Sequence, residues 1–518
     1  MAHSRRSPVA GKRERRPTRQ EEKRRREKHR NGRKALHAQQ LLDGLIAPER
    51  PTASNATSKF KTKEEEAAHR TEVTAAYIAK VKPQFSRLLA ELGQIKDPRD
   101  PKKVEHQLVL VIFYGIVCFL LQAQSRREAN RELTGPVVLE HLRQHFPELE
   151  SLPHQDTVNR LLSRIDVEKI QDSLMEMVRR LIRNKKFDRF LINGLYPIAI
   201  DGTQKLKSVS LISPEWQERT HNKGTEAEQT RYHVYVLEAC LAFSNGLTLP
   251  LLSEFLNYEE GDRDAQKQDC ETKAFHRLVA RLKTEFPRLP IILLLDGLYA
   301  NGPIIEDCEK CHWQYMIVLK DGSLPSVWPE FQALLSLAPE NHATRLSGVR
   351  RQDFRWVNGI DYCYGANGRN RLKLHLVECL ETWEEIDPET GKPVAKTSRH
   401  VWISSERLTK SNLHERCNLG ARHRWNIEEA ILAEKRHGYQ YEHCFSKNWK
   451  AMKGYHYLMH LAHALNALAQ FAEDIIDVVR SKGVRAFIRF IRDCLVQPWF
   501  TPSQLSASLP CTLQLRLT

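Results

Sequence analysis

The 518-residue sequence predicts a mixed α/β sheet flanked by helices, with a helical N-terminal domain and a β-rich insertion, on three observations. Two apolar runs, Tyr196-Pro-Ile-Ala-Ile-Asp201 and Pro290-Ile-Ile-Leu-Leu-Leu-Asp296, each end on Asp-Gly. Unbroken hydrophobicity over so short a length marks a strand buried on both faces. Residues 231–243 and 247–255 are β-rich and meet at Ser244-Asn245-Gly246, a hairpin signal. Helical periodicity runs from residue 72 to about 187 and returns at about 413.

The chain opens on charge. Residues 1–34 hold 15 Lys or Arg against 4 Glu and almost nothing apolar, so most of the formal +16 sits there. Such a stretch cannot bury enough apolar surface to offset its ordering entropy, and residues 1–70 are expected to be a disordered basic arm and linker. Its natural partner is a polyanion, which it binds by releasing counterions without reading sequence.

Residues 71–190 read as a helical, DNA-binding domain, in which 151–184 repeat Leu, Ile and Met at helical spacing behind an N-cap at Asp156 or Thr157. The apolar run 108–121 is too short for the roughly 20 residues that cross a bilayer, so it reads as a core helix and no membrane is expected. The 11 cysteines are odd in number and follow no secretory signal, which predicts free thiols in the cytoplasm.

Residues 191–340 form the first part of the core, in the order strand, hairpin, helix (about 269–286), strand, helix (about 303–311) and strand (314–320). Residues 341–410 turn β-like around Asn358-Gly359 and are expected to form an insertion. Residues 411–518 complete the core with a helix at 419–437 and end in a helical tail.

On that helix Arg424, Glu428 and Lys435 project at about 0°, 40° and 20°, with Ile427 and Ile431 beside them, whereas Glu429 points about 100° away from Glu428. A carboxylate turned toward a packed interface needs a cation or a metal, which selects Glu428. Asp201, Asp296 and Glu428 are then the hard oxygen ligands that suit two Mg²⁺ or Mn²⁺ ions, with Asp201 bridging. Two such ions serve an in-line displacement at phosphorus.

These motifs, Ile-Asp201-Gly-Thr, Leu-Leu-Asp296-Gly-Leu-Tyr and Arg424-Trp-Asn-Ile-Glu428 with Lys435, resemble those of bacterial cut-and-paste insertion-sequence transposases of the DDE type. The resemblance covers about 191–468 and includes three of the four residues of the family's Tyr-Arg-Glu-Lys signature; Ala421 stands where the family has Tyr. It implies an RNase H-like core and a catalytic triad of Asp201, Asp296 and Glu428. It further implies cleavage at transposon ends followed by attack of the freed 3′-OH on target DNA, by a homodimer assembled on DNA in the nucleoid. Arg424 and Lys435, and more weakly Lys320, would contact DNA phosphates, and Trp402 and Trp425 would stack a flipped base. The rival readings are an RNase H-like nuclease or resolvase that cuts without joining, and a domesticated nucleic-acid-binding protein without catalysis.

Other signals read as incidental. Cys308-Glu-Lys-Cys311-His312 spells a haem-attachment motif, but inside a predicted helix and without an export signal. His456, His460 and His463 share a helical face and read as packed residues. Asp269 and Glu271 open a helix, where the dipole favours acids. There is no phosphate-binding GxxxxGK loop.

Overall fold

The computed structural model describes residues 19–42, 57–144, 147, 149–257, 269–387, 393–496 and 515–516. They belong to two compact units, a larger one of residues 49–342, 355–378 and 400–518 and a smaller one of residues 1–48, 343–354 and 379–399. Among the described residues no helix is long and apolar enough to cross a membrane.

The smaller unit contains α1 (Arg19–Leu42), exposed at every side chain described. Part of the arm expected to be disordered is therefore helical. Its Arg, Lys, Glu, Gln, Ala and Leu all have high helix propensity, so a helix needs no buried face to form there. Residues 1–18 and 43–56 of the expected arm and linker lie outside the described residues.

The larger unit begins with α2 (Lys63–Leu92), where Thr62 accepts from the Glu65 amide and Glu64, Glu65 and Glu66 face the positive end of the helix dipole. There follow α3 (Leu108–Leu120), α4 (Arg126–Glu132), α5 (Pro136–Arg143), α6 (Gln155–Leu162) and α7 (Glu168–Arg183). His154, rather than Asp156 or Thr157, caps α6, its ring accepting from the Asp156 amide.

The sheet strands are β1 (Tyr196–Ser208), β2 (Gln217–His221), β3 (Gln229–Ala242) and β4 (Thr248–Phe255). After α8 (Glu271–Glu285) come β5 (Ile291–Leu295), α9 (Gly302–Lys310), β6 (Gln314–Val318) and α10 (Val327–Leu337). Four strands follow, β7 (His342–Ser347), β8 (Arg350–Tyr364), β9 (Asn370–Ile386) and β10 (Pro393–Ser404), and then α11 (Trp425–Arg436), α12 (Trp449–Gln470), α13 (Ile476–Lys482) and α14 (Val484–Val496). The strand order β2-β3-β1-β5-β6-β10-β9-β8-β7, with β4 on β3, is mixed: β1, β5 and β6 are parallel, β3 is antiparallel to β1, β2 and β4, and β10 is antiparallel to β6. The β-like stretch expected at 341–410 is thus β-rich, and its last strand pairs directly with the sheet through Trp402, Ile403 and Ser404 on β6.

The helical region and the sheet share one core. α12 is buried all round, packing on α2, α3, α6 and α7 as well as on β4. Gly115 of α3 and Gly454 of α12 permit this: a Cβ on either would lie 2.8 Å from Leu458 or 2.9 Å from Leu162.

Candidate active site

β1 runs past the point where the sequence predicts its end. It pairs with β5 over Tyr196 to Ala199 only, but with β3 as far as Ser208. Asp201 therefore lies in mid-strand rather than at a strand end, just beyond the last β1–β5 pair. Asp296 does end its strand, immediately after β5, where its Oδ1 accepts from the Leu298 amide at 2.8 Å.

Glu428 comes from α11, which is reached by an irregular approach rather than the uninterrupted helix expected at 419–437. A π-helical turn spans His414–Gly420 and a 3₁₀ turn Ala421–Arg424 before the α-helix begins. The i, i+4 relation survives this irregularity, and Arg424 Nη2 donates to Glu428 Oε1. Glu429 is exposed and Glu428 half-buried, as the helical wheel required.

The three acids come together electrostatically at Asp201. Burial pushes its carboxyl up and the Arg424 guanidinium pulls it down; the carboxylates of Glu428 and Asp296 push it up again, to about 6. No described cation forms an ion pair with Asp201. Arg424 is 6% exposed, and its Nε and Nη1 have no hydrogen-bond partner. Three hard carboxylates with too few cations, beside a buried guanidinium with unused donors, match what a divalent cation and a phosphate would require.

The other expected residues divide. Lys320 Nζ sits 3.4 Å from Asp296 Oδ2, and its stem crosses Gly297 so closely that a Cβ there would meet it at 2.8 Å. Lys435 ties α11 to β1, donating to the Gln204 carbonyl at 3.2 Å and pairing with Glu442 at 3.0 Å. Trp425 is 60% exposed, with the Arg424 guanidinium 5.2 Å from its ring centroid. Trp402 is not open as its expected role needs: it is 3% exposed, stacked on His400 with the Arg422 guanidinium 6.0 Å from its ring centroid, on the face of β10 opposite to Val401 and Ile403.

One acid that reads from the sequence as a dipole-favoured helix opener belongs here. Asp269 is structural, bound to Arg277 at 2.7 Å. Glu271, in contrast, turns back over β1, where a Cβ on Gly202 would lie 2.6 Å from its Cδ. Its partners are the hydroxyls of Tyr235 and, at 3.5 Å, Tyr299. Burial and the nearby Asp296 charge leave its carboxyl raised, the two tyrosines opposing. The glycine after Asp201 is the signal in the sequence that points to it.

A second polar cluster lies deeper on the α11 side. Glu238, His456 and His460 have donor atoms within 4.8 Å of one another. Those atoms are already engaged, since Ser253 Oγ lies 2.7 Å from Glu238 Oε2, 2.9 Å from His456 Nε2 and 3.3 Å from His460 Nδ1. Lys205, at a β-bulge, puts its ammonium 3.1 Å from His456 Nδ1. Tyr441 donates to Glu238 at 2.6 Å, and Glu434 of α11 binds His463 and, at 3.5 Å, His460. Cys308 is buried within α9, where burial raises its thiol, so the haem-like motif presents no exposed thiolate pair.

Comparison with known families adds one finding. Residues 89–178, from the end of α2 into α7, match the family model described as DDE_Tnp_1-associated. No curated protein matches the chain.

Proposed function

We propose that the chain is a DNA transposase of the DDE type with an RNase H-like core, cutting at transposon ends and joining the freed 3′-OH to target DNA. The observation that carries this reading is that the carboxylates of Glu428 and Asp296 both bear on the half-buried Asp201, which forms no ion pair with a described cation. The family match in the helical region, reached independently of those acids, points the same way.

Asp201, Asp296 and Glu428 would hold two Mg²⁺ or Mn²⁺ ions. When bound, such ions activate the attacking oxygen and stabilise the leaving one, and both cutting and joining are displacements at phosphorus. Arg424 orients Glu428 through its Nη2 and offers Nε and Nη1 to a phosphate oxygen. Lys320, beside Asp296, would contact a phosphate from there. Lys435 holds α11 against β1 and would contact phosphate from there. Trp425 is the exposed ring on which a displaced base would stack. The partners are transposon-end and target DNA, the assembly is a homodimer on DNA, and the setting is the nucleoid.

The test uses the full chain, Mg²⁺ and DNA carrying the inverted repeats that flank its gene. Cleavage with strand joining is expected, and Asp296→Asn should abolish both while leaving end binding intact. Cleavage without joining would identify a resolvase-like nuclease. Binding without cleavage in the unaltered protein would identify a domesticated binding protein.

A further inference from the structure

We propose that Glu271 is a fourth carboxylate of the metal centre, reaching it from α8 across the side-chain gap left by Gly202. The inference rests on the transposase reading above and names a ligand that the triad omits.

Three observations carry it. First, Asp201 and Gly202 are successive residues of β1, so their side-chain positions lie on opposite faces of the sheet. α11 occupies the Asp201 face, and Glu271 arrives from the Gly202 face. A side chain on residue 202 would displace it, because Cδ, Oε1 and Oε2 lie 2.6, 2.8 and 2.8 Å from the ideal Cβ. Second, β1 has lost its β5 neighbour at this level, so acids from the two faces can meet over the open edge where Asp296 emerges. The hydroxyls of Tyr235 and Tyr299 lie in that space, and the charges of Glu271, Asp201 and Asp296 all bear on each of them.

Third, Glu271 has no task in the fold comparable to those of its neighbours. Cys270 occupies the N-cap of α8 without a side-chain bond, and Asp269 takes the ion pair with Arg277. Glu271 forms no ion pair with a described cation, and its polar contacts are the two tyrosine hydroxyls. On the opposite face the buried Arg424 leaves two donors unused. The centre thus has four acids and an unsatisfied guanidinium, a set completed by divalent cations together with a phosphate.

The experiment measures Mn²⁺ binding to the full-length protein by electron paramagnetic resonance, alongside end cleavage as a function of Mg²⁺ concentration. Glu271→Gln should weaken Mn²⁺ binding by about 10- to 100-fold and raise the half-saturating Mg²⁺ by a similar factor. End binding and the thermal midpoint without metal should be preserved. Gly202→Ala, which places a methyl group where the carboxylate lies, should shift both readouts in the same direction. Glu271→Asp keeps the charge on a shorter stem and should fall between wild type and Gln; it serves as the test if the Gln variant does not fold. Mn²⁺ affinity within twofold of wild type in a folded Glu271→Gln or Glu271→Asp protein overturns the inference. Asp201→Asn separates the two levels. If Asp201→Asn loses Mn²⁺ and Glu271→Gln does not, only the fourth carboxylate is wrong. If neither variant loses Mn²⁺, the metal reading of the whole site is wrong.

Discussion

Asp201 on β1 and Glu238 on β3 are directly opposed in the antiparallel register and so share a sheet face, yet their carboxyls are shifted in opposite directions. Burial raises both. At Glu238 the imidazoles of His456 and His460 overcome it and hold the acid down to about 2; at Asp201 the carboxylates of Glu428 and Asp296 outweigh Arg424 and leave it at about 6. Depth does not distinguish the two sites so much as partners do. In the deep cluster two carboxylates, Glu238 and Glu434, face the ammonium of Lys205 and the imidazolium of His460, so charge closes within the protein. At Asp201 it does not close in this way.

The largest effect should come from the open site. Asp201→Asn is expected to lower end cleavage by roughly three orders of magnitude, several kcal/mol of transition-state stabilisation, in a gel assay at saturating Mg²⁺. A residual rate within tenfold of wild type would break the assignment of this acid.

The closed cluster should respond in stability instead. Glu434→Gln or Glu238→Gln leaves buried histidine or lysine charge uncompensated and should cost about 3–5 kcal/mol in urea unfolding. The pH dependence has a defined sign. Burial, helped by Lys205 and His460, holds His456 down to about 3, so below roughly 6.5 the unfolded chain takes up a proton that the folded one refuses. Stability from neutral His456 is complete above that value and is lost as pH falls toward 3. His460 works the other way: burial opposes its proton, but Glu434 and Glu238 prevail and raise it, so its contribution is complete in acid and lost as pH rises through its folded pKa. Stability should therefore peak near neutrality. A flat profile between pH 5 and 8 would mean that the cluster does not close its charge as described.

How much of this could be read from the sequence follows from the same contrast. Unbroken apolar runs marked β1 and β5, and helical geometry chose Glu428 over Glu429, because hydrophobic patterning and angular spacing are local properties. Local reading failed where a residue's task depends on a distant element. β2 is a polar edge strand, Gln-Glu-Arg-Thr-His, with no alternation to reveal it. Glu271 satisfies a helix dipole whether or not it also faces Gly202. His456 and His460 share a helical face in any reading, and only the fold brings Glu238 and Ser253 to them.

A smaller effect sharpens the comparison from within the open site. Since the raised carboxyl of Asp201 is destabilising once ionised, Asp201→Asn should stabilise the metal-free protein while it removes activity. The folded value of about 6 lies above the ordinary one, so the penalty sets in as pH rises from about 4 to 6 and is complete at pH 7. After solvent screening it is on the order of 1–2 kcal/mol. Chemical denaturation in chelator at pH 7 and pH 4 measures it; no gain at pH 7 would mean that Asp201 is already compensated.

The smallest effect on stability separates the two tryptophans. Trp402 is buried, and Trp402→Ala should cost about 3–5 kcal/mol whether or not DNA is present. Trp425 is 60% exposed at the start of α11, three residues from Glu428, so Trp425→Ala should change stability by no more than about 0.5 kcal/mol. If its ring receives a displaced base, the same variant should lower end cleavage by about 1–3 kcal/mol of lost stacking and dim the fluorescence of 2-aminopurine placed at the cut. Unchanged cleavage and unchanged fluorescence would leave Trp425 as a surface ring packed on Arg424. Because the protein stays folded in either case, the result reads the DNA contact alone.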